Sequence, residues 1–291
     1  MTNATIPPAA TSLHPLAPPP IVADSVTRLG PEAEGAVLVA ASHGGAYAAY
    51  LAAMSRVRGV ILNDAGIGLD RAGLAGLDLA QKIGLAAATI SHDSARIGNG
   101  RDMLARGVIS QVNVAAIAMG VEPGQSCAEA AARLAAAPLP FARPAPYAEA
   151  RRVLQPRGPR GPRIVLIDSA ALVKQDEDAG QVVVTGSHGG LIGGDSWNAI
   201  KTDAFAAGYN DAGIGIDDAG TTRLAALDAR AIAGFVVDAA TARIGEAAST
   251  YEDGLISRVN RRAHALGLRA GQSAREAVEL LLDAIEGRIE A

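Results

Sequence analysis

The sequence predicts an α/β fold built twice: two similar lobes related by a pseudo-twofold axis, each a mostly parallel sheet covered by helices. The first observation behind this is a repeat. Asn63-Asp64-Ala65-Gly66-Ile67-Gly68 returns 147 residues later as Asn210-Asp211-Ala212-Gly213-Ile214-Gly215. The same offset carries Ala95-Arg96-Ile97-Gly98 to Ala242-Arg243-Ile244-Gly245 and Gly124-Gln125-Ser126 to Gly271-Gln272-Ser273. The second observation is the alternation of short apolar runs with helix-like stretches in each copy, the pattern of parallel strands with helical cover. The third is copy number: two copies are too few for a solenoid but suffice for a fused pseudo-dimer.

In chain order, residues 1–20 are rich in proline and small polar residues and read as a flexible arm, with neither the basic nor the apolar region of a signal peptide. The first repeat spans 21–137. An extended segment (IVADSV) leads into an apolar run, VLVAA, and the turn Ser42-His43-Gly44-Gly45. A helix-like stretch, AYAAYLAAMSRV, precedes the run GVILND, and a Leu/Ala/Asp helix precedes the third run, LAAATIS. Ser126 with Glu129 three residues on marks a capping box at the start of the closing helix, and Ser273 with Glu276 repeats it. Residues 138–162, rich in Pro and Arg, read as a surface linker with one short helix in its middle. The second repeat, 163–291, follows with RIVLIDSAALV, VVVTG, a second SHGG at Ser187-His188-Gly189-Gly190, and the runs FAAGYND and IAGFVVD.

The 291 residues carry 26 basic and 30 acidic side chains, a formal charge of −4, with no long basic patch, which argues against a nucleic-acid partner. The apolar runs fall short of a bilayer span, so no membrane partner is expected. A single cysteine, Cys127, excludes an intrachain disulfide and suits a small buried hydrophobe in a reducing cytoplasm. The expected partner is a small-molecule substrate; homo-oligomers remain open.

Every polar motif lies just past the carboxyl end of an expected strand, where open α/β sheets bind ligands at switch points of strand order. His43 and His188 are candidate acid–base groups, with Asp64 and Asp211 to orient them. The alternatives are a histidine that locks its turn and an aspartate that caps its loop. Gly44, Gly45, Gly189 and Gly190 offer backbone amides for an oxyanion hole, although tight turns need glycine in any case. Ser42, Ser187, Asn63 and Asn210 are candidate substrate contacts. Arg96 and Arg243 are candidate carboxylate anchors, or members of structural ion pairs; Ser94 and Thr241, two residues before them, are donors or N-caps. Only the first repeat has a second candidate catalytic pair, His92 and Asp93, able to shuttle a proton; the second reads Asp238-Ala239-Ala240 there, so the lobes are expected to have specialised.

The order strand, Ser-His-Gly-Gly, helix, strand, Asn-Asp-Ala-Gly-Ile-Gly resembles the caspase-like cysteine peptidases, but Asp64 and Asp211 stand where their cysteine would be. The resemblance covers one strand pair per copy and implies no peptidase activity. The two-lobed layout resembles the aspartate/glutamate racemases, which need a cysteine in each lobe. Gly66-Ile67-Gly68 lacks the third glycine of a dinucleotide fingerprint, and GxxxxGK[ST] is absent, so no cofactor is expected. His43, Asp64, His92 and Asp93 are residue types that can hold a metal but lack a diagnostic spacing such as HExxH, so no metal ligands are assigned. The remaining chemistry favours a hydrolase of an amide or cyclic C–N bond in a small carboxylate-bearing substrate. The alternatives are an isomerase or lyase that abstracts a proton next to a carbonyl, and a non-enzymatic small-anion binding module.

Overall fold

The computed structural model describes residues 18–289, so most of the expected N-terminal arm lies outside the described residues. The first lobe holds a five-stranded sheet of β1 (Ile21–Ala23), β2 (Val37–His43), β3 (Gly59–Asn63), β4 (Ala86–Ile90) and β5 (Ile109–Val112), adjacent in that order. Strands β1 to β4 run parallel and β5 antiparallel. Helices α1 (Ala46–Met54) and α2 (Ala75–Ile83) cross between successive parallel strands. Their alanines bury against Leu38, Val60 and Leu62 on one face of the sheet. Helices α3 (Gly100–Arg106), α4 (Val114–Ile117) and α5 (Cys127–Leu134) contribute Met103, Ala116, Cys127 and Leu134 to the core on the other face, with Ile61 and Ile90.

The second lobe repeats this plan with an added edge strand and, where α1 would fall, only a 3₁₀ turn at Ser196–Asn198. Its sheet is β6 (Arg151–Leu154), β7 (Ile164–Ile167), β8 (Val182–His188), β9 (Ala206–Asn210), β10 (Ala233–Val237) and β11 (Ile256–Val259). Helices α6 (Arg223–Ala229), α7 (Ala247–Glu252), α8 (Arg261–Ala265) and α9 (Ala274–Ile289) cover it. The expected α/β duplication is therefore observed. The linker departs from expectation: instead of a short helix, residues 151–154 form β6, an antiparallel edge strand on β7. Arg151 explains why it stays there, through a bidentate pair from its guanidinium to buried Asp178 (2.7 and 3.1 Å).

Several repeated polar residues do local structural work. Ser126 and Glu129 form the expected capping box, and Ser273 with Glu276 makes the same reciprocal bonds. Asn113 and Asn260 cap α4 and α8 and also accept amides from neighbouring strands, Ala87 and Gly234. No described helix is long and apolar enough to cross a membrane.

The lobes meet at their repeated NDAGIG loops. Residues 65–68 all have positive φ, including Ala65 (49°) and the β-branched Ile67 (63°), and Ala212 and Ile214 repeat this at 52° and 65°. Such backbone costs about 1–2 kcal/mol per residue and persists only where its surroundings enforce it. Here the surroundings are the other lobe. Leu69 N–H donates to the Ala239 carbonyl (2.8 Å), and Ile216 N–H donates to the His92 carbonyl (3.0 Å). Ala65, Ala212, Ile97 and Ile244 bury together at the seam.

Candidate functional site

In each lobe the strand order follows the chain, so neither sheet has a switch point among its parallel strands. The crevice expected at such a point arises instead between the lobes. A register shift near the end of β2 sets His43 opposite Asn63, and the same shift in β8 sets His188 opposite Asn210. Both imidazoles consequently line one cavity of about 150 Å³, and Ser42 and Ser187 line it with them.

The hydrogen bonds define what each ring has to offer. Gly45 N–H donates to Nδ1 of His43 and Gly190 N–H to Nδ1 of His188, both at 3.1 Å. An Nδ1 that accepts a proton in this way leaves the hydrogen of the neutral ring on Nε2. Neither Nε2 has a hydrogen-bond partner among the described residues. Burial lowers the pKa of His43 to about 4. His188 is also held well below the ordinary imidazole range, first by burial and then by the Arg223 guanidinium and His43. At neutral pH the cleft therefore has two uncharged Nε2–H donors and no imidazole base.

The glycine amides have other duties. Gly44 N–H donates to the Asn63 carbonyl (2.6 Å) and Gly189 N–H to that of Asn210 (2.7 Å), while Gly45 and Gly190 serve the histidines. An oxyanion hole made of these amides is thus not available. Glycine is required at 44 and 189 because a Cβ there would strike the carbonyls of Gly73 and Gly220. The serine hydroxyls accept from backbone, Ser42 from Val26 N–H (3.0 Å) and Ser187 from Ala170 N–H (2.9 Å), and neither bonds to a histidine.

The other candidates gather at the seam. Asn63 is fully buried, its oxygen accepting from Ala65 N–H and its amide donating to the Ala95 carbonyl; Asn210 does the same with Ala212 and Ala242. Asp64 accepts from the backbone N–H of Gly66 and His92 and from Nδ1 of His92 (2.9 Å), so its imidazole partner is His92 and not His43. Asp211 caps its loop through Gly213 and Ala239 N–H. The His92 pKa is raised, chiefly by its hydrogen bond to Asp64, with the Asp64, Asp93 and Asp211 charges adding to it. Asp93 is exposed, 3.6 Å from Nε2 of His92.

The His92 ring therefore bonds Asp64 of its own lobe and feels the Asp211 charge of the other. A Cβ on Gly213 would lie 2.9 Å from Cδ2 of His92, so the ring fills space beside the pseudo-axis and leaves none for a twin. This explains the divergence at 92 and 239 by packing, without a proton shuttle. Ser94 and Thr241 donate to the carbonyls of Ser91 and Asp238 and accept from Val108 and Leu255 N–H.

Arg96 bonds Asp217 (2.9 Å) and Arg243 bonds Asp70 (2.8 Å), each across the seam. Both arginines thus have carboxylate partners already. They line two further crevices, with Gly98 and Gly245 respectively. The second crevice shares His43, Tyr47 and Glu149 with the central cavity as lining residues.

Glu149 was invisible in the sequence, because the linker has no counterpart in the other repeat. Asp168 pins the chain beside it by accepting Ala150 N–H (2.7 Å), and this sets Glu149 in the cavity wall. Burial, then the Asp168 charge, pushes the Glu149 carboxyl up to about 7. Tyr47, Tyr50 and Tyr147 cluster beside it with ring centroids 5.7–6.1 Å apart. Arg223 was also missed, although a signal existed: at the same offset of 147, Arg223 replaces Gly76 while the next residue stays leucine (Leu77, Leu224). Among the described residues no three His, Cys, Asp or Glu side chains gather as a metal site.

No known protein family matches the chain, no curated protein matches it, and no solved structure matches its fold.

Proposed function

We propose that the interlobe cleft is the active site of an isomerase or lyase that abstracts a proton from carbon next to a carbonyl group. The observation that carries this reading is the convergence on one cavity of two unpartnered Nε2–H donors and a carboxyl with a pKa near 7. Glu149, ionised, takes the proton. The electron pair of the broken C–H bond moves toward the carbonyl, whose oxygen becomes an enolate oxygen. The Nε2–H groups of His43 and His188 stabilise that oxygen, and as neutral donors they do so without giving up their protons. A general base works best with a pKa near the operating pH, and preorganised donors in a water-poor site stabilise developing charge strongly. Return of the proton to another position completes an isomerisation; loss of a neighbouring group completes an elimination.

Hydrolysis of an amide or cyclic C–N bond by a histidine–aspartate pair has less support, because Asp64 pairs with His92 at the seam and both cleft serines bond to backbone. The test is proton NMR of small oxo compounds in D2O. The wild type is expected to wash deuterium into the position next to the carbonyl, and Glu149→Gln to slow this by about 10²–10⁴. Ring-opened or deamidated products without exchange would replace this reading with the hydrolytic one.

A further inference from the structure

The cavity wall holds a cation whose charge no carboxylate among the described residues balances. Arg223, the first residue of α6, is 4% exposed. Its Nε donates to the Gly190 carbonyl (3.1 Å) and its Nη1 to the carbonyls of Asn198 (2.9 Å) and Ala199. Its guanidinium stacks on the Tyr209 ring, 4.9 Å from the centroid. Each of these partners is neutral, and no carboxylate pairs with Arg223 among the described residues. The contrast with other arginines is informative: Arg96, Arg151 and Arg243 all have carboxylate partners.

A second cation lines the same cavity. Lys201 donates to Asn198 Oδ1 (2.7 Å) and likewise has no carboxylate partner among the described residues. A buried charge left without a counter-charge is costly, so such a group is usually paired or awaits an anion. The feature belongs to one lobe only. The first lobe has Gly76 at the equivalent place, where a Cβ would already lie 2.7 Å from the Gly44 carbonyl oxygen and 2.9 Å from Ala49 Cβ.

We propose that the cleft takes a small oxo-carboxylate, its carboxylate bound by Arg223 and Lys201 and its ketone oxygen by the two histidines. This inference rests on the proton-abstraction reading and gives it a substrate class. Arg223 and Lys201 line the cavity together with Glu149, so a monoanion bound through its carboxylate places its acidic C–H in the same cavity as the base. A volume of about 150 Å³ is well below the roughly 300–1,000 Å³ of a drug-sized pocket, which restricts the acid to a few carbons. With Nε and Nη1 held by carbonyls, Nη2 of Arg223 is the nitrogen left to donate to a carboxylate oxygen.

The chain's only tryptophan, Trp197, adjoins Asn198, whose carbonyl Arg223 holds, so its fluorescence reports occupancy without turnover. The experiment titrates the wild type with 2-oxobutyrate and with its neutral amide. Saturable quenching by the acid is expected, at least tenfold tighter than by the amide. Arg223→Gln should weaken binding of the acid at least tenfold and leave the amide unchanged, and Arg223→Lys should recover part of the loss. Lys201→Gln, on an exposed side chain, gives the same comparison with little risk to folding. Equal binding of acid and amide, or no binding of the acid at millimolar concentration, overturns the proposal even if neither Arg223 variant folds.

The two proposals fail differently. Binding of 2-oxobutyrate without deuterium wash-in sinks the reaction and leaves the anion site. Wash-in on neutral ketones without preference for the acid sinks the anion site alone. Glu149→Gln should bind 2-oxobutyrate at least as tightly as the wild type while losing exchange.

Discussion

An alanine at Gly66 would put a methyl group between two backbones. Its Cβ would lie 2.7 Å from Cα and 3.0 Å from N of Gly213, across the seam, where no side chain can rotate away. The residue also sits at φ +74°, which costs an L-residue about 1–2 kcal/mol. Separating two packed backbones adds about 1–3 kcal/mol, by analogy with overpacked cores. Gly66→Ala is therefore expected to destabilise the protein by about 2–5 kcal/mol. Gly35 isolates the first contribution: its φ is +73°, and nothing lies within 4 Å of a Cβ built there. Gly35→Ala should cost only about 1–2 kcal/mol. Urea denaturation followed by circular dichroism measures both. Gly213→Ala strikes the same place from the other side, so the double variant should cost less than the sum of the singles. A Gly66→Ala protein no less stable than Gly35→Ala would refute the close seam on which the shared cleft depends.

The proton-exchange rate should rise with pH through about 7 as Glu149 ionises, and Glu149→Gln should abolish that inflection. Because the carboxyl pKa is raised in the fold, its contribution to stability is full below the unfolded value and is lost as pH rises toward 7. The stability of Glu149→Gln relative to wild type should therefore improve between pH 4.5 and 7, as read by thermal melts at each pH. His92→Gln tests the assignment of His92 to the seam. Its raised pKa means that the ring stabilises the fold fully below about 6.5 and less as pH rises through the folded value, so the variant's deficit in the same melts should shrink at alkaline pH. Deuterium wash-in by His92→Gln should fall far less than by Glu149→Gln.

The duplication was legible because NDAGIG and ARIG build the seam, and a seam between two similar lobes constrains both copies alike. Their glycines adopt positive φ or press against the other lobe, and Asn63 and Asn210 each hold the ARIG loop of their own lobe. The same pressure made the repeat a poor guide to chemistry. Asp64, Asp211, Arg96 and Arg243 repeat because they hold loops and lobes together. His43 and His188 repeat for their turns and, in the reading proposed here, for the reaction as well. Glu149 and Arg223 break the symmetry, one in a linker without a counterpart and one at a glycine position, so a search for repeated polar residues passes over both. Their meaning appears only when the fold brings linker, β2, β8 and α6 around one cavity.

The proposed reaction requires both cleft imidazoles to be neutral donors, a state that ¹⁵N-detected NMR of histidine-labelled protein measures. At pH 6 both His43 and His188 should be neutral with the hydrogen on Nε2, and His43 should titrate only near pH 4. Its lowered pKa also means that the stability it contributes above about 6.5 is lost as pH falls toward 4. Addition of 2-oxobutyrate should shift both Nε2 resonances together, since one carbonyl oxygen accepts from both rings. A protonated Nδ1 on either ring, or a response from one histidine alone, would contradict a shared pair of neutral donors.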